Sequence, residues 1–192
     1  MHRDEHMESY MQTGIDFLRD QVDEAVAQHA ALLQSMTVHE SEADDRRYGD
    51  LCSRHIPHMR QHQGMLEEFR ESLGARPAKG GASQLAGVVR QVAGTAFAAA
   101  RSFADAPQSD YTQLLGDLAM VRQLEVTFKT FRDAGRQLGI AGLAQLGEIA
   151  ERHHDEYSTD AKRLLQQMFV ERAQGAADIA RPFADHRVDF RR

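Results

Sequence analysis

The sequence predicts an all-α fold: a four-helix bundle built from two helical hairpins, with an additional crossover helix. Three features carry this reading. Apolar residues recur every third or fourth position over long stretches, the helical period. Val, Ile and Thr never alternate with polar residues over the length of a strand. Glycine and proline cluster at a few points that divide the chain into rods of bundle length.

The first helix is expected over about 8–36, with an inward line of Ile15, Leu18, Val22, Ala25, His29, Leu32 and Met36. Residues 36–47 are polar and acidic and read as a connection. The second helix, about 48–73, carries Leu51, His55, His58, His62, Leu66, Phe69 and Leu73. It stops at Leu73-Gly74 with Pro77 beyond, a normal C-terminal signal. Pro57 fits best in the first turn of this helix, starting near Ser53; inside the helix it would instead kink the rod. Lys79-Gly80-Gly81 reads as a hinge, and a third helix rich in Ala and Gly is expected over about 82–104. Its small residues suit a close crossing or a subunit contact.

A fourth helix, about 109–137, has a cap at Ser109 or Asp110. Its inward line is Leu114, Leu118, Val121, Glu125 and Phe128. After Leu138-Gly139 a fifth, about 141–174, carries Leu143, Gly147, Ala150, His154, Tyr157, Ala161, Leu164 and Met168. The tail beyond Arg181-Pro182 reads as irregular. The 192 residues suit one domain. One long crossover between two hairpins is the ferritin-like connection.

Composition excludes several classes. There are 29 acidic and 23 basic residues, a formal charge of -6, which opposes a nucleic-acid partner. No stretch is apolar enough for a membrane span or signal peptide, so a cytoplasmic protein is expected. The single cysteine, Cys52, has no internal disulfide partner and reads as a small buried residue. The eight methionines are dispersed and read as core filling.

Metal-ligand types interrupt the apolar lines: His29, His55, His58, His62, Glu125, Glu151 and His154. One histidine on an apolar face is ordinarily a satisfied core residue. All four bundle helices carry such groups, however, and burying them unpaired is costly. A shared metal ion is the most economical partner. Glu151-Arg152-His153-His154 is a literal Glu-x-x-His, and His55-Ile56-Pro57-His58 has the same spacing, which puts both side chains on one face. His153 and Asp155 flank the inward line and read as solvent-facing. Depths agree within each hairpin: His29 lies about two turns before the first loop and His55 about two turns after it. The slide of one hairpin on the other is not fixed by sequence. Ten histidines shift the donor set toward nitrogen, which suits iron, zinc or copper, with affinity expected to fall below about pH 6.

Two stretches resemble a known family. Residues 53–77 contain the His run, Leu66-Glu67-Glu68-Phe69, Leu73-Gly74 and Pro77. Residues 114–164 contain Gly116-Asp117-Leu118-Ala119, Glu125, Phe128, Leu138-Gly139 and the acidic pair Glu151 and Asp155. Together they resemble the YciE/YciF-like ferritin-like family of bacterial stress-associated proteins. The resemblance implies a ferritin-like bundle, a dinuclear metal centre with iron the leading metal and zinc or manganese the alternatives, and a homodimer. It also implies a stress-linked role. The chain departs from the family where His29 or Glu24 stands for a glutamate, Glu125-Val126 for Glu-His, and His58 or Gln61 for a second-helix glutamate. The expected function is therefore a ferritin-like metal-binding protein with a His/Glu site, iron- or peroxide-related. The alternative is a non-catalytic dimerisation protein with a vestigial site. A hemerythrin-like oxygen binder ranks behind both, because its ligand spacings are not matched.

Overall fold

The computed structural model describes residues 2–74 and 109–174, with side chains from residue 13 onward. Four helices make up the described chain: α1 (His2–Glu42), α2 (Arg46–Ser72), α3 (Asp110–Leu138) and α4 (Ala141–Ala173). No strand occurs among the described residues. The expected crossover helix and the tail lie outside them.

Each helix buries one stripe. Val22, Ala25, Leu32 and Met36 of α1 meet Leu51, Met59 and Leu66 of α2. Leu114, Val121, Leu124 and Phe128 of α3 and Leu143, Leu146, Tyr157 and Ala161 of α4 complete one core. The principal packing pairs are α1 with α2, α3 with α4, α2 with α4, and α1 with α3. The helices therefore stand around a ring in the order α1, α2, α4, α3. Ser35 and His39 reach Asp117 while His29 lies against Phe128, so α1 and α3 are antiparallel. Arg47 pairs with Glu171 while His62 meets His153, so α2 and α4 are antiparallel too. The directions are up, down, down, up. The end of α2 and the start of α3 thus lie at opposite ends of the bundle, about 40 Å apart at 1.5 Å per residue.

The first connection is shorter than expected. The segment expected to be a loop over 36–47 is helical as far as Glu42, leaving only 43–45 between the rods. Tertiary contacts override the polar composition. His39 in the last turn of α1 approaches both Tyr48 and Asp117, which holds that turn helical. Asp45 caps α2 by accepting from the Arg47 N–H. Gly49 lets the rods close up, because a Cβ there would sit 3.1 Å from the Glu40 carbonyl oxygen. Since α2 begins at Arg46, Pro57 lies inside the helix rather than in its first turn, on an exposed face. At the other end of this hairpin, Arg19 donates to the Leu73 carbonyl, one of the acceptors that a helix end leaves unmet.

The second hairpin packs more tightly. Gly139 adopts φ 70, the left-handed conformation that ends α3, and the Ile140 N–H returns to the Gly135 carbonyl at 2.8 Å. Gly147 faces the α3 backbone, and a Cβ there would lie 2.3 Å from the Arg132 nitrogen. That close approach draws the His154 turn of α4 against Phe128.

One polar knot joins three helices near the α1–α2 turn. Asp117 of α3 is 1% exposed and accepts from Ser35 at 2.7 Å and from the Tyr48 hydroxyl at 2.6 Å. His39 Nδ1 lies 3.0 Å from the same carboxylate. A buried carboxylate with three partners is satisfied and fixes the register of α1 and α2 on α3.

Candidate metal centre

Three of the histidines on the apolar lines converge inside the bundle. His29 from α1, His62 from α2 and His154 from α4 are each 0% exposed. Each offers a ligand atom, and these atoms all lie within 4.8 Å of one another. Ring centroids stand 5.8 Å apart for His29–His62, 5.6 Å for His29–His154 and 5.3 Å for His62–His154. The remaining helix, α3, contributes Phe128, whose ring is 5.0 Å from His154 and closes that side.

The tautomers follow from the partners. His154 Nδ1 lies 2.7 Å from the Ala150 carbonyl, which only accepts, so Nδ1 carries the proton. The Gln63 amide donates to Glu67 at 2.7 Å, which turns its carbonyl oxygen toward His29 Nδ1 at 3.1 Å. His29 Nδ1 therefore donates as well. His62 Nε2 meets His153 Nδ1 at 2.8 Å. Each ring is left with one buried nitrogen lacking a hydrogen-bond partner: His29 Nε2, His62 Nδ1 and His154 Nε2. Orphaned buried polar nitrogens are rare in folded proteins, and three in one place share an explanation.

Burial keeps these rings neutral. It lowers the His29 pKa to about 4, against a weaker opposing pull from Gln63. Burial first, then the neighbouring histidines, lowers His62 to about 2 and His154 to about 3. A neutral imidazole is the form that binds a metal. The free rings thus keep their lone pairs well below the pH 6 anticipated from ordinary histidine.

The set fits a metal ion in kind and nearly in size. An ion midway between three atoms no more than 4.8 Å apart would sit at most roughly 2.8 Å from each, against about 2.0–2.1 Å for zinc–nitrogen bonds. Ring movements of about 0.7 Å close that difference. The partners on the far ring nitrogens are of the kind that orient metal-binding imidazoles: a backbone carbonyl, an amide backed by Glu67, and a second imidazole.

The other anticipated ligands stand elsewhere. Glu125 is held by Arg122 one turn away, and Glu151 by Arg132 across the α3–α4 interface. Neither belongs to a ligand group. His55 faces Asp160 with its Nε2 3.5 Å from the carboxylate, and its ring meets Tyr157 edge-on at 5.2 Å. His58 stacks on His153 at 4.0 Å and forms a second, half-exposed group with His153 and Glu156. His153, read from sequence as solvent-facing, is half-buried and bonded to His62; Asp155 is exposed. The signal for His153 was the adjacent pair His153-His154, which spans both the inner line and its flank. Cys52 is buried, and burial pushes its thiol up.

No protein-family model, curated protein or solved structure matches this chain. The site is therefore read from its own chemistry. No helix among the described residues is long and apolar enough to cross a membrane.

Proposed function

We propose that this is a metal-binding protein of ferritin-like architecture, holding one divalent transition-metal ion between His29, His62 and His154. The observation that carries the reading is the set of three neutral, buried imidazoles whose ligand atoms lie within 4.8 Å of one another, each ring with one unpartnered nitrogen. The up, down, down, up course of the helices is compatible with the ferritin-like connection and with the family resemblance of residues 53–77 and 114–164.

The donor set bears on the metal. Three nitrogens and no carboxylate suit zinc, iron, copper or nickel. A dinuclear iron centre needs bridging carboxylates, and Glu125 and Glu151 are engaged by arginines. A single ion with three protein ligands keeps a fourth position open, the arrangement of catalytic rather than closed structural zinc sites. Iron, a stress role and homodimerisation remain part of the proposal only through the family resemblance.

Elemental analysis of protein purified without chelator tests the reading. One equivalent of metal, retained when His58 and Glu156 are both replaced by Gln, is the expected result. Metal-free protein that takes up no zinc, cobalt or ferrous iron under any of these conditions would leave the alternative, a helical interaction protein with a vestigial site.

A further inference from the structure

A second cluster of histidines lies beside the buried trio, and one hydrogen bond joins the two. We propose that His58, His153 and Glu156 form an outer divalent-cation site, and that the His62–His153 bond makes the outer and inner sites antagonistic. The proposal rests on the reading of the buried trio as a metal centre.

Geometry supports the outer site. Its three ligand atoms lie within 4.8 Å of one another, drawn from α2 and from successive turns of α4. His58 Nδ1 is buried without a hydrogen-bond partner. Glu156 is exposed and supplies the negative charge that the inner site lacks. Two nitrogens and a carboxylate at a half-open surface leave room for water to complete the shell, so the class of ligand is a transition-metal dication.

The antagonism follows from counting protons. His62 Nε2 and His153 Nδ1 share one hydrogen bond at 2.8 Å, so one of the two carries the proton. If it sits on His62 Nε2, then His62 Nδ1 has a lone pair for the inner ion. His153 is then an acceptor at Nδ1 and holds its own proton on Nε2, the nitrogen it would offer the outer ion. If it sits on His153 Nδ1, the outer nitrogen is free and His62 Nδ1 is protonated. Two neutral imidazoles bonded this way present one outward lone pair between them. Filling both sites requires breaking the bond. Passage of an ion from the exposed cluster to the buried centre therefore moves the shared proton to His62 Nε2, releases the proton on His62 Nδ1 and lets His153 Nε2 take one up from water.

The test uses Co(II) titrated into the full-length, metal-free chain, followed by absorption and by histidine ring ¹⁵N shifts. His29→Leu/His154→Leu removes the inner site with apolar residues of core size. His58→Gln/Glu156→Gln removes the outer site and leaves the three inner rings in place. Helical circular dichroism checks every variant; His29→Gln/His154→Gln substitutes if the leucine pair fails to fold. The wild type should bind one ion, with any second at least about tenfold weaker. Each double variant should still bind one ion, and the combination of all four substitutions none. With diamagnetic Zn(II) in place of Co(II), the inner-bound chain should show His153 protonated at Nε2. Two ions bound independently by the wild type would overturn the antagonism. No binding by the inner-site variant would overturn the outer site while leaving the buried centre standing. No binding by the outer-site variant, with binding retained by the inner-site variant, would instead sink the buried centre.

Discussion

Acid should destabilise the metal-free protein through three rings that the fold keeps neutral. In the unfolded chain His29, His62 and His154 titrate near 6.5, whereas in the folded chain they titrate at about 4, 2 and 3. Between those values the unfolded state binds more protons, so stability falls as pH falls. The stability is fully present above the unfolded value and drains away from about pH 7 downward. At about pH 5 each unfolded ring gains about 2 kcal/mol from protonation, while the folded rings gain almost nothing. Three rings together cost about 6 kcal/mol relative to pH 8, comparable with the whole stability of a small domain. Urea unfolding in the presence of EDTA at about pH 8, 6 and 5 measures this directly. The His29→Leu/His154→Leu variant should recover about 4 kcal/mol of the loss, since two of the three rings are gone. If the variant and the parent lose stability in parallel, the three rings are not held neutral by burial and the reasoning fails.

Gly147→Ala should destabilise by about 3 kcal/mol or more, because its Cβ would collide with the α3 backbone rather than with a movable side chain; a thermal melt unchanged from the parent would contradict the close approach. Asp117→Asn should cost about 1–3 kcal/mol by breaking its bonds to Tyr48, Ser35 and His39, read as a lower urea midpoint. Glu125→Gln and Glu151→Gln should leave zinc stoichiometry and affinity unchanged, since both carboxylates answer to arginines; isothermal titration showing tenfold weaker binding (about 1.4 kcal/mol) would return them to the metal shell.

Much of the bundle is written in its apolar period. Every position from Val22 to Met36 and from Leu143 to Met168 on the inward lines is buried. Ile15, placed on the same line, is 37% exposed. Helix ends were less legible where distant residues decide them. The last turn of α1 depends on His39 meeting Tyr48, nine residues on, and Asp117, 78 residues on. The site follows the same division. That His29, His62 and His154 face inward can be read from spacing. Glu125 pairs with Arg122 one turn away, a spacing that the sequence shows, whereas Glu151 pairs with Arg132 across the α3–α4 interface, which spacing along one helix does not show. The relative slide of the two hairpins was not available from sequence at all. It is set by the Asp117 knot, which ties Ser35, His39 and Tyr48 of the first hairpin to α3 of the second, and it decides that His154 meets His29 and His62.

The three inward imidazoles come from both hairpins, two from the first and one from the second. Neither half alone owns a complete ligand set. Coordination is therefore a reporter of assembly: during refolding, the visible absorption of cobalt would rise only after the halves have docked, separating that event in time from the growth of the rods themselves.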